Sequence, residues 1–458
     1  MLTKLKSLQN HSGFMRYFKN TSWLLGEKIL RMIVGLFVGV WVARYLGPEQ
    51  FGLFSYAQSF VGLFTAIATL GLDGIVVREL VKDESRRDEL IGTAFWLKLM
   101  GAFAVLLILA IAVNFTSNDH ATNIIVFIVA SATVFQAFNV VDFYFQSKVL
   151  SKYIVYANVI SLFFSSIVKV ALILSDAPLV AFAWVVLFDS FVLACGFIYF
   201  YFRYLVVDTE SNLIFKMRNL VFSKAIAISL LRDSWPLILG STAAIIYMKI
   251  DQVMIQEMIG SQAVGHYAAA VRVSELWLFI TVALTQSFSP SIINSKKQNH
   301  ELYISRIQDM YNLLMKISFI IAIVLFFCAD KLILLLYGVP YSNSSDVLKV
   351  YIWSIVFVYL SNGSWSFYLN ENLQKIASMR LIYGAIINIV LNIYLIEHFG
   401  LIGAAYATLI SYSISSYFIN FFYKKTRLNF LLQTKAIINI LNIETWKKPI
   451  KSLGHKYR

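Results

Sequence analysis

Charged residues are scarce in this sequence. They make up 14% of the 458 residues, whereas hydrophobic residues make up 59%, and the mean hydropathy is +0.70. Soluble globular domains carry about 25% charged residues. The composition therefore excludes a soluble globular protein and predicts a membrane protein.

Cysteine is also scarce, and one common nucleotide-binding motif is missing. The two cysteines, Cys195 and Cys328, lie inside apolar runs, where a thiol behaves as a small hydrophobe. This excludes a disulfide framework and a cysteine-ligated metal cluster. The pattern Gly-x-x-x-x-Gly-Lys-Ser/Thr does not occur, which excludes ATP hydrolysis by a phosphate-binding loop.

What the sequence does contain is a series of apolar segments of helical length. Each has roughly 20 residues, the length that an α-helix needs to cross a bilayer, and not the shorter alternating pattern of a transmembrane barrel. The pattern predicts an all-α polytopic membrane protein with twelve transmembrane helices. These are expected near residues 22–46, 51–72, 92–114, 122–145, 154–175, 178–202, 234–256, 264–288, 313–337, 347–369, 377–396 and 401–423.

Basic residues concentrate in every second loop. They cluster at residues 78–87, 203–232 and after residue 423, whereas the opposite loops hold essentially only Lys331. The positive-inside rule then predicts that both termini are cytoplasmic. The net charge of +14 is explained by this asymmetry, so no nucleic-acid partner is expected. The opposite loops are short and leave no room for an external catalytic domain, so we expect no enzyme.

The spans group into two halves. We predict a cytoplasmic interfacial segment (1–20), a lobe of helices 1 to 6 (21–203), a cytoplasmic linker (204–233), a lobe of helices 7 to 12 (234–424) and a basic cytoplasmic tail (425–458). The apolar part of the tail is short and interrupted by polar residues, which favours an interfacial helix over a thirteenth span.

An internal repeat supports this division. The segments 47–57 and 260–270 each have a glycine, a second glycine five residues later, then an aromatic residue and an alanine at matching positions. Two further matches follow in the same order, 143–146 with 367–370 and 181–183 with 405–407. Because six spans return the chain to its starting side, the halves are expected to be parallel repeats that enclose a cleft, as in secondary transporters.

Four stretches carry a resemblance to a known family. They are 47–57, Leu70-Gly71-Leu72-Asp73, 249–253 followed by 264–268, and 400–407, and with them residues 15 to 425 resemble the Wzx-type oligosaccharide flippases. The resemblance implies a V-shaped pair of six-helix lobes, shared with the MATE drug exporters and lipid II flippases of the MOP superfamily. It also implies transfer of an undecaprenyl-pyrophosphate-linked oligosaccharide to the outer leaflet of the bacterial inner membrane, for surface polysaccharide such as the O-antigen of lipopolysaccharide.

The resemblance also implies partners and leaves alternatives. Membrane lipids and the polysaccharide polymerase machinery are the expected partners. A lipid II flippase would carry fourteen spans, and this tail is too polar for two more.

A MATE-like exporter of small molecules would have a predominantly acidic cavity, whereas the buried charges here are mixed. A membrane polymerase or glycosyltransferase would show a substantial loop or soluble domain.

Six intramembrane cations are candidates for binding the pyrophosphate. Charge-assisted hydrogen bonds to phosphate are strong at low dielectric, and ionisable residues inside a membrane are usually functional. The candidates are Arg31, Lys28, Lys249, Arg272, Lys169 and Lys98. For Lys28, Lys98 and Lys169 the alternative is a side chain that extends to the headgroups.

Four carboxylates complete the candidate site. Asp251 and Glu275 are expected to form a charge network with Lys249 and Arg272, either lining the cleft or locking two helices together. Asp142 and Asp189 could take up H⁺ or Na⁺ to couple transport to an ion gradient. For Asp142 the alternative is a helix cap or an ion pair with Lys148. No other cofactor or metal is expected.

The tenth and eleventh spans contain polar and aromatic residues that could line a wet cavity. Trp353, Trp365, Tyr368 and Asn370 could contact sugar or simply pack. Small and amide residues in the same spans predict close helix contact or a hydrated wall. These are Ser361, Asn362, Gly363, Asn388 and Asn392.

Overall fold

The computed structural model describes residues 12–209 and 221–442, and every regular element within them is helical. The all-α prediction is confirmed. The helices are α1 (Ser12–Thr69), α2 (Asp73–Lys82), α3 (Arg87–Ala112), α4 (His120–Phe135), α5 (Val140–Ser147), α6 (Lys152–Leu174), α7 (Leu179–Thr209), α8 (Lys224–Met258), α9 (Ser261–Glu275), α10 (Leu278–Gln298), α11 (His300–Tyr337), α12 (Ser344–Tyr351), α13 (Ser354–Asn370), α14 (Gln374–Ser413), α15 (Ile419–Phe422) and α16 (Arg427–Leu441). A π-helix, Ile414–Phe418, joins α14 to α15.

The described helices account for the twelve predicted spans. Nine helical segments are long and apolar enough to cross a membrane, and one bent pair, α12 with α13, passes the same test together. Two of the nine, Lys19–Lys82 and Gln374–Phe422, are 64 and 49 residues long. One crossing needs about 20 residues, so each segment is long enough for two. Each is interrupted by a glycine break and therefore supplies two spans.

The two breaks have a local cause. Gly47 has φ 69° and Gly400 has φ 58°, in the left-handed region that glycine adopts at little cost. Pro48 follows Gly47 directly, and proline is favoured at the first position of a new helix. The sequence therefore ends one helix and begins the next at each of these points.

The described residues form two compact units. The first comprises residues of Met1–Leu46 and Leu53–Ile245, and the second comprises Gly47–Gly52 and residues of Ile246–Arg458. The division falls inside α8, between Ile245 and Ile246. The predicted lobe boundary, residue 234, lies earlier in the same helix. Parts of three predicted segments lie outside the described residues. These are residues 1–11 of the interfacial segment, 210–220 of the linker and 443–458 of the tail.

Apolar side chains hold the first unit together. Val76 of α2, Leu97 of α3 and Phe145 of α5 are buried in one cluster with residues of α7 and the start of α8. Exposed aromatic and aliphatic residues such as Trp41 and Phe103 lie on the outside. An apolar exterior is the arrangement that a lipid environment favours.

The second unit has a more polar interior. It buries large tyrosines, including Tyr311 and Tyr368, whose hydroxyls need hydrogen-bond partners. Helix α16 supplies one of them, because Asn429 accepts a bond from Tyr311. Gln433 of the same helix donates to Ser364 Oγ at 2.8 Å. The described part of the predicted tail therefore packs into this unit through buried amides.

The two copies of the glycine repeat contact each other inside the second unit. A Cβ atom added at Gly52 would lie 1.7 Å from the carbonyl oxygen of Ser261, and one at Gly265 would lie 1.9 Å from that of Pro48. Only glycine permits such a close backbone approach. The repeat that the sequence shows is thus also a packing motif.

Candidate functional site

A buried carboxylate lies at the centre of the second unit. Asp251, on α8, is 3% exposed. Its Oδ2 accepts hydrogen bonds from the Tyr267 hydroxyl at 2.7 Å and from Thr408 Oγ1 at 2.6 Å. Its Oδ1 accepts one from Asn392 Nδ2 at 2.6 Å. The same amide nitrogen donates to Asn388 Oδ1 at 3.2 Å. We call these five residues the Asp251 cluster.

The break in α14 creates this cluster. Asn388 and Asn392 precede Gly400, whereas Thr408 follows it, so the chain must reverse for both segments to reach Asp251. Gly403 makes the reversal tight, because a Cβ there would lie 1.9 Å from the carbonyl oxygen of Leu395. Two glycines near the turn thus bring the amides and the hydroxyl to one carboxylate.

No basic side chain balances the charge of Asp251. Within the described residues, no lysine, arginine or histidine forms an ion pair with it. Its donors are two hydroxyls and one amide, all neutral. An isolated carboxylate inside apolar surroundings is costly unless a cation or a proton compensates it. The cluster therefore has the chemistry of a site that takes up a positive charge.

One remaining oxygen suits a small hard cation. Asn392 Oδ1 is buried without a hydrogen-bond partner among the described residues. Rotation of the Asn392 amide would turn its oxygen toward Asp251, which is favourable only with a cation or a proton between them. Oxygen ligands are preferred by hard cations. The described residues contain no group of three histidine, cysteine, aspartate or glutamate side chains that could hold a metal, and Asp251 is the carboxylate of the cluster.

The predicted pyrophosphate ligands are dispersed, and several have partners already. Arg31 Nε forms an ion pair with Glu27 at 2.8 Å. Lys98 is 2% exposed, lies 3.3 Å from Asp73 Oδ1, and has its Nζ 4.6 Å from the centre of the Phe143 ring. Its side chain is therefore directed into the protein, which contradicts the alternative that it extends to the headgroups.

The other predicted cations occur in three different environments. The Arg272 guanidinium lies 4.7 Å from the centre of the Phe51 ring. Lys28 is exposed, and Lys169 is half-buried. Lys249 is half-buried and forms no ion pair within the part of the chain that the structure describes. Lys249 and Arg272 are the predicted ligands of the second unit, and neither forms an ion pair within the described residues.

The predicted charge network is not formed. No ion pair joins Lys249, Asp251, Arg272 and Glu275 to one another in the described residues. Asp251 uses neutral donors instead, since Lys249 is two positions away on the helix and points to a different face. Arg272 and Glu275 form no ion pair along α9 in the described residues, and no salt-bridge lock is formed there.

The two other predicted carboxylates have neutral partners as well. Asp142 Oδ1 accepts a bond from Gln146 at 2.9 Å. Its suggested partner Lys148 instead pairs with Glu84. Asp189 Oδ1 accepts a bond from Ser161 at 2.6 Å. Neither has the converging donors that surround Asp251.

Three residues of the second unit were not predicted as site residues. Tyr267 was noted as the aromatic residue of the second repeat segment and Thr408 lies in an alanine-rich apolar segment, and neither position indicates a contact with Asp251. Arg380 could have been selected from the sequence, because it is the single charged residue of the span predicted at 377–396. It is 5% exposed.

The fold and the buried charged groups define a class. The protein is a polytopic α-helical membrane protein. The family model described as polysaccharide biosynthesis protein matches residues 17–294, more than half of the chain. The protein belongs to this family.

Known relatives agree with the fold. An uncharacterized membrane protein of Methanocaldococcus jannaschii is 21% identical over 92% of this chain and 87% of its own. An inward-facing multidrug resistance MATE transporter of the MOP superfamily aligns with TM-score 0.68 at 14% identity, covering 90% of this chain and 96% of that one. The lipid II flippase MurJ, in an inward closed conformation, aligns with TM-score 0.68 at 15% identity, covering 93% of each chain.

Proposed function

We propose that the protein is a flippase for surface polysaccharide synthesis. It would carry an undecaprenyl-pyrophosphate-linked oligosaccharide repeat unit, such as that of an O-antigen, from the cytoplasmic to the outer leaflet of the bacterial inner membrane, with both termini in the cytoplasm. Membership of the polysaccharide biosynthesis family supports the cargo class. The transporter fold supports movement by alternating access rather than catalysis. The polymerase machinery would take up the product.

The Asp251 cluster is the observation that carries a coupled mechanism. We propose that Na⁺ or H⁺ binds Asp251 and drives the cycle. With the cation bound, the carboxylate is compensated, and α8 packs against both halves of α14. Without it, a buried uncompensated charge disfavours this packing. A ligand that binds one conformation better shifts the population toward it, so binding and release of the cation would bias the conformational equilibrium.

Lys249 links the cargo to this step. It lies two residues before Asp251 on α8, half-buried and without an ion pair in the described residues. An ammonium group in such surroundings is strongly attracted to a pyrophosphate. Since both residues share one helix, a rearrangement at Asp251 would move the cargo-binding side chain. Arg272, Arg31, Lys28, Lys98 and Lys169 would contribute positive potential.

We expect Lys249→Ala to reduce glycan export by on the order of tenfold or more, because one charge-assisted bond to phosphate is worth about 1.5–3 kcal/mol. The amount of protein in the membrane should not change, since Lys249 has no ion pair to lose in the described structure. Surface polysaccharide and protein abundance would be measured in a deletion strain complemented with each variant.

Lys331→Ala is the matched control, since Lys331 is an exposed lysine of the second unit, and we expect full export. Loss of the Lys249 variant from the membrane would contradict the cargo role. Unchanged export at normal abundance would contradict it equally. Accumulation of the lipid-linked repeat unit on the cytoplasmic face of the deletion strain tests the flippase function itself.

The second candidate is a MATE-like ion-coupled exporter of small molecules. The MATE structure and the lipid II flippase align equally well, each with TM-score 0.68, so the fold does not separate them. The family membership favours the polysaccharide cargo. A deletion strain with normal surface polysaccharide but increased sensitivity to cationic drugs would support the exporter and reject the flippase.

A further inference from the structure

A second buried charge lies in the second unit, in the first half of α14. The guanidinium of Arg380 is almost wholly buried, with 5% of the residue exposed. Its Nη2 donates to the carbonyl oxygen of Ser361 at 3.3 Å. Its Nε and Nη1 have no hydrogen-bond partner among the described residues. A buried arginine with two unused nitrogens requires an explanation.

The side chains around Arg380 do not neutralise it. Its central carbon lies 5.0 Å from the centre of the Tyr368 ring, a favourable but partial compensation. No carboxylate forms an ion pair with it within residues 19–204 and 221–442. The desolvation of an unpaired buried charge costs several kcal/mol after relaxation. A negative charge from outside the chain would remove this cost.

The unpaired Asp251 cannot serve as that negative charge. Asn392, which donates a hydrogen bond to Asp251, lies twelve residues after Arg380 on α14, about 18 Å away along the helix axis. Tyr247 lies between them, close to Gly384 and hydrogen-bonded to Ser415 Oγ at 2.9 Å. The same unit thus contains a carboxylate and a guanidinium that are too far apart to neutralise each other.

Close packing next to Arg380 limits the size of a ligand. A Cβ added at Gly384, one turn away, would lie 2.9 Å from Ser415 Cβ. One at Gly363, two residues after Ser361, would lie 2.8 Å from a ring carbon of Tyr311. A lipid-linked headgroup needs far more room than a single ion. The packing therefore favours a small inorganic anion.

We infer that Arg380 binds a small inorganic anion of halide size, which occupies its Nε and Nη1 and neutralises the guanidinium inside the second unit. The anion would stabilise the contact between α13 and α14, which Arg380 bridges through Ser361 and Tyr368. This inference rests on the geometry of the second unit and is independent of the proposed cargo.

The experiment uses the full chain in nanodiscs of zwitterionic lipid, so that no lipid phosphate monoester or anionic headgroup competes. Thermal unfolding would be followed while chloride replaces gluconate at constant ionic strength and constant Na⁺. We expect the wild-type melting temperature to rise by about 2 °C or more with chloride. We expect no chloride-dependent shift in Arg380→Gln.

Arg427→Gln is the matched control. Arg427 also has one bond to a carbonyl oxygen, that of Phe421 at 3.3 Å, and an aromatic ring beneath it, but it is exposed. This variant should keep the chloride response. If Arg380→Gln does not fold, Arg380→Lys, which keeps the charge, should retain part of the response.

Three outcomes would overturn the inference. The first is a wild-type protein that melts at the same temperature in chloride and gluconate and gains nothing from undecaprenyl pyrophosphate, which would mean that water alone satisfies Arg380. The second is a chloride response that persists in Arg380→Gln. The third is stabilisation by undecaprenyl pyrophosphate but not by chloride, bromide or inorganic phosphate, which would assign Arg380 to a lipid-linked ligand.

Discussion

Asp251→Asn is expected to abolish cation-dependent stabilisation and glycan export while the protein still folds. Asparagine keeps the shape of the side chain and can still accept bonds from Tyr267 and Thr408, but it removes the charge that attracts the cation. Loss of a ligand's charge should weaken cation binding by about 100-fold or more. The melting temperature of the purified protein would be measured against Na⁺ and against pH, and surface polysaccharide would be measured in cells.

The two coupling ions give different signatures. If Na⁺ is the ligand, the wild-type melting temperature rises with Na⁺ and not with choline. If H⁺ is the ligand, the same stabilisation appears as the pH falls and requires no Na⁺. Both effects should vanish in Asp251→Asn.

Asp189→Asn is the matched control for Asp251. Asp189 is a partly buried carboxylate that also accepts a hydroxyl bond, from Ser161, but it lacks converging donors. We expect its cation response to be unchanged. A response that survives in Asp251→Asn and disappears in Asp189→Asn would reject the Asp251 site and place coupling in the first unit, as the sequence also allowed.

Gly265→Ala should have the largest effect on stability. The new methyl group would lie 1.9 Å from the carbonyl oxygen of Pro48, a backbone atom. No rotamer change can relieve this overlap, so the segments carrying the glycine repeat must separate. We expect a loss of about 3 kcal/mol or more in the free energy of unfolding, together with little protein in the membrane. Thermal unfolding in detergent and immunodetection in membranes would measure both.

Gly35→Ala provides the contrast for this substitution. Gly35 is a helical residue of α1, and a Cβ there would meet no atom within 4 Å. Because alanine is the better helix former by about 1 kcal/mol, this variant should be neutral or slightly stabilising. Equal melting temperatures and equal membrane abundance of the two variants would contradict the close contact between Gly265 and Pro48.

Some of the candidate site follows from simple rules on sequence, and some does not. Asp251 stood out because a carboxylate inside an apolar span is costly. Asn388 and Asn392 stood out as amides in such a span. Their contact with Asp251 depends on the reversal at Gly400 and Gly403, and no periodicity along the chain encodes which residues face each other across a reversal.

Contacts between distant segments also explain why two ion pairs expected from the sequence are not formed in the described residues. Arg272 and Glu275 are spaced so that they could pair on one helix, yet Arg272 lies over Phe51, more than two hundred residues earlier in the sequence. Lys148 pairs with Glu84 rather than with Asp142 nearby in sequence. Spacing on a helix decides which side chains can meet. Packing from distant segments decides which ones do.

Residue order alone is enough to predict the membrane environment, the helical class, the number of spans and the repeat. These features depend on residue-level transfer energies and on the need of each backbone group for a partner inside its own helix. Which buried charges are compensated becomes visible in the folded protein. Compensation depends on distances between side chains far apart in sequence, and these distances are fixed when the helices pack. Asp251 and Arg380 are two buried residues to which that packing supplies no opposite charge within the described chain.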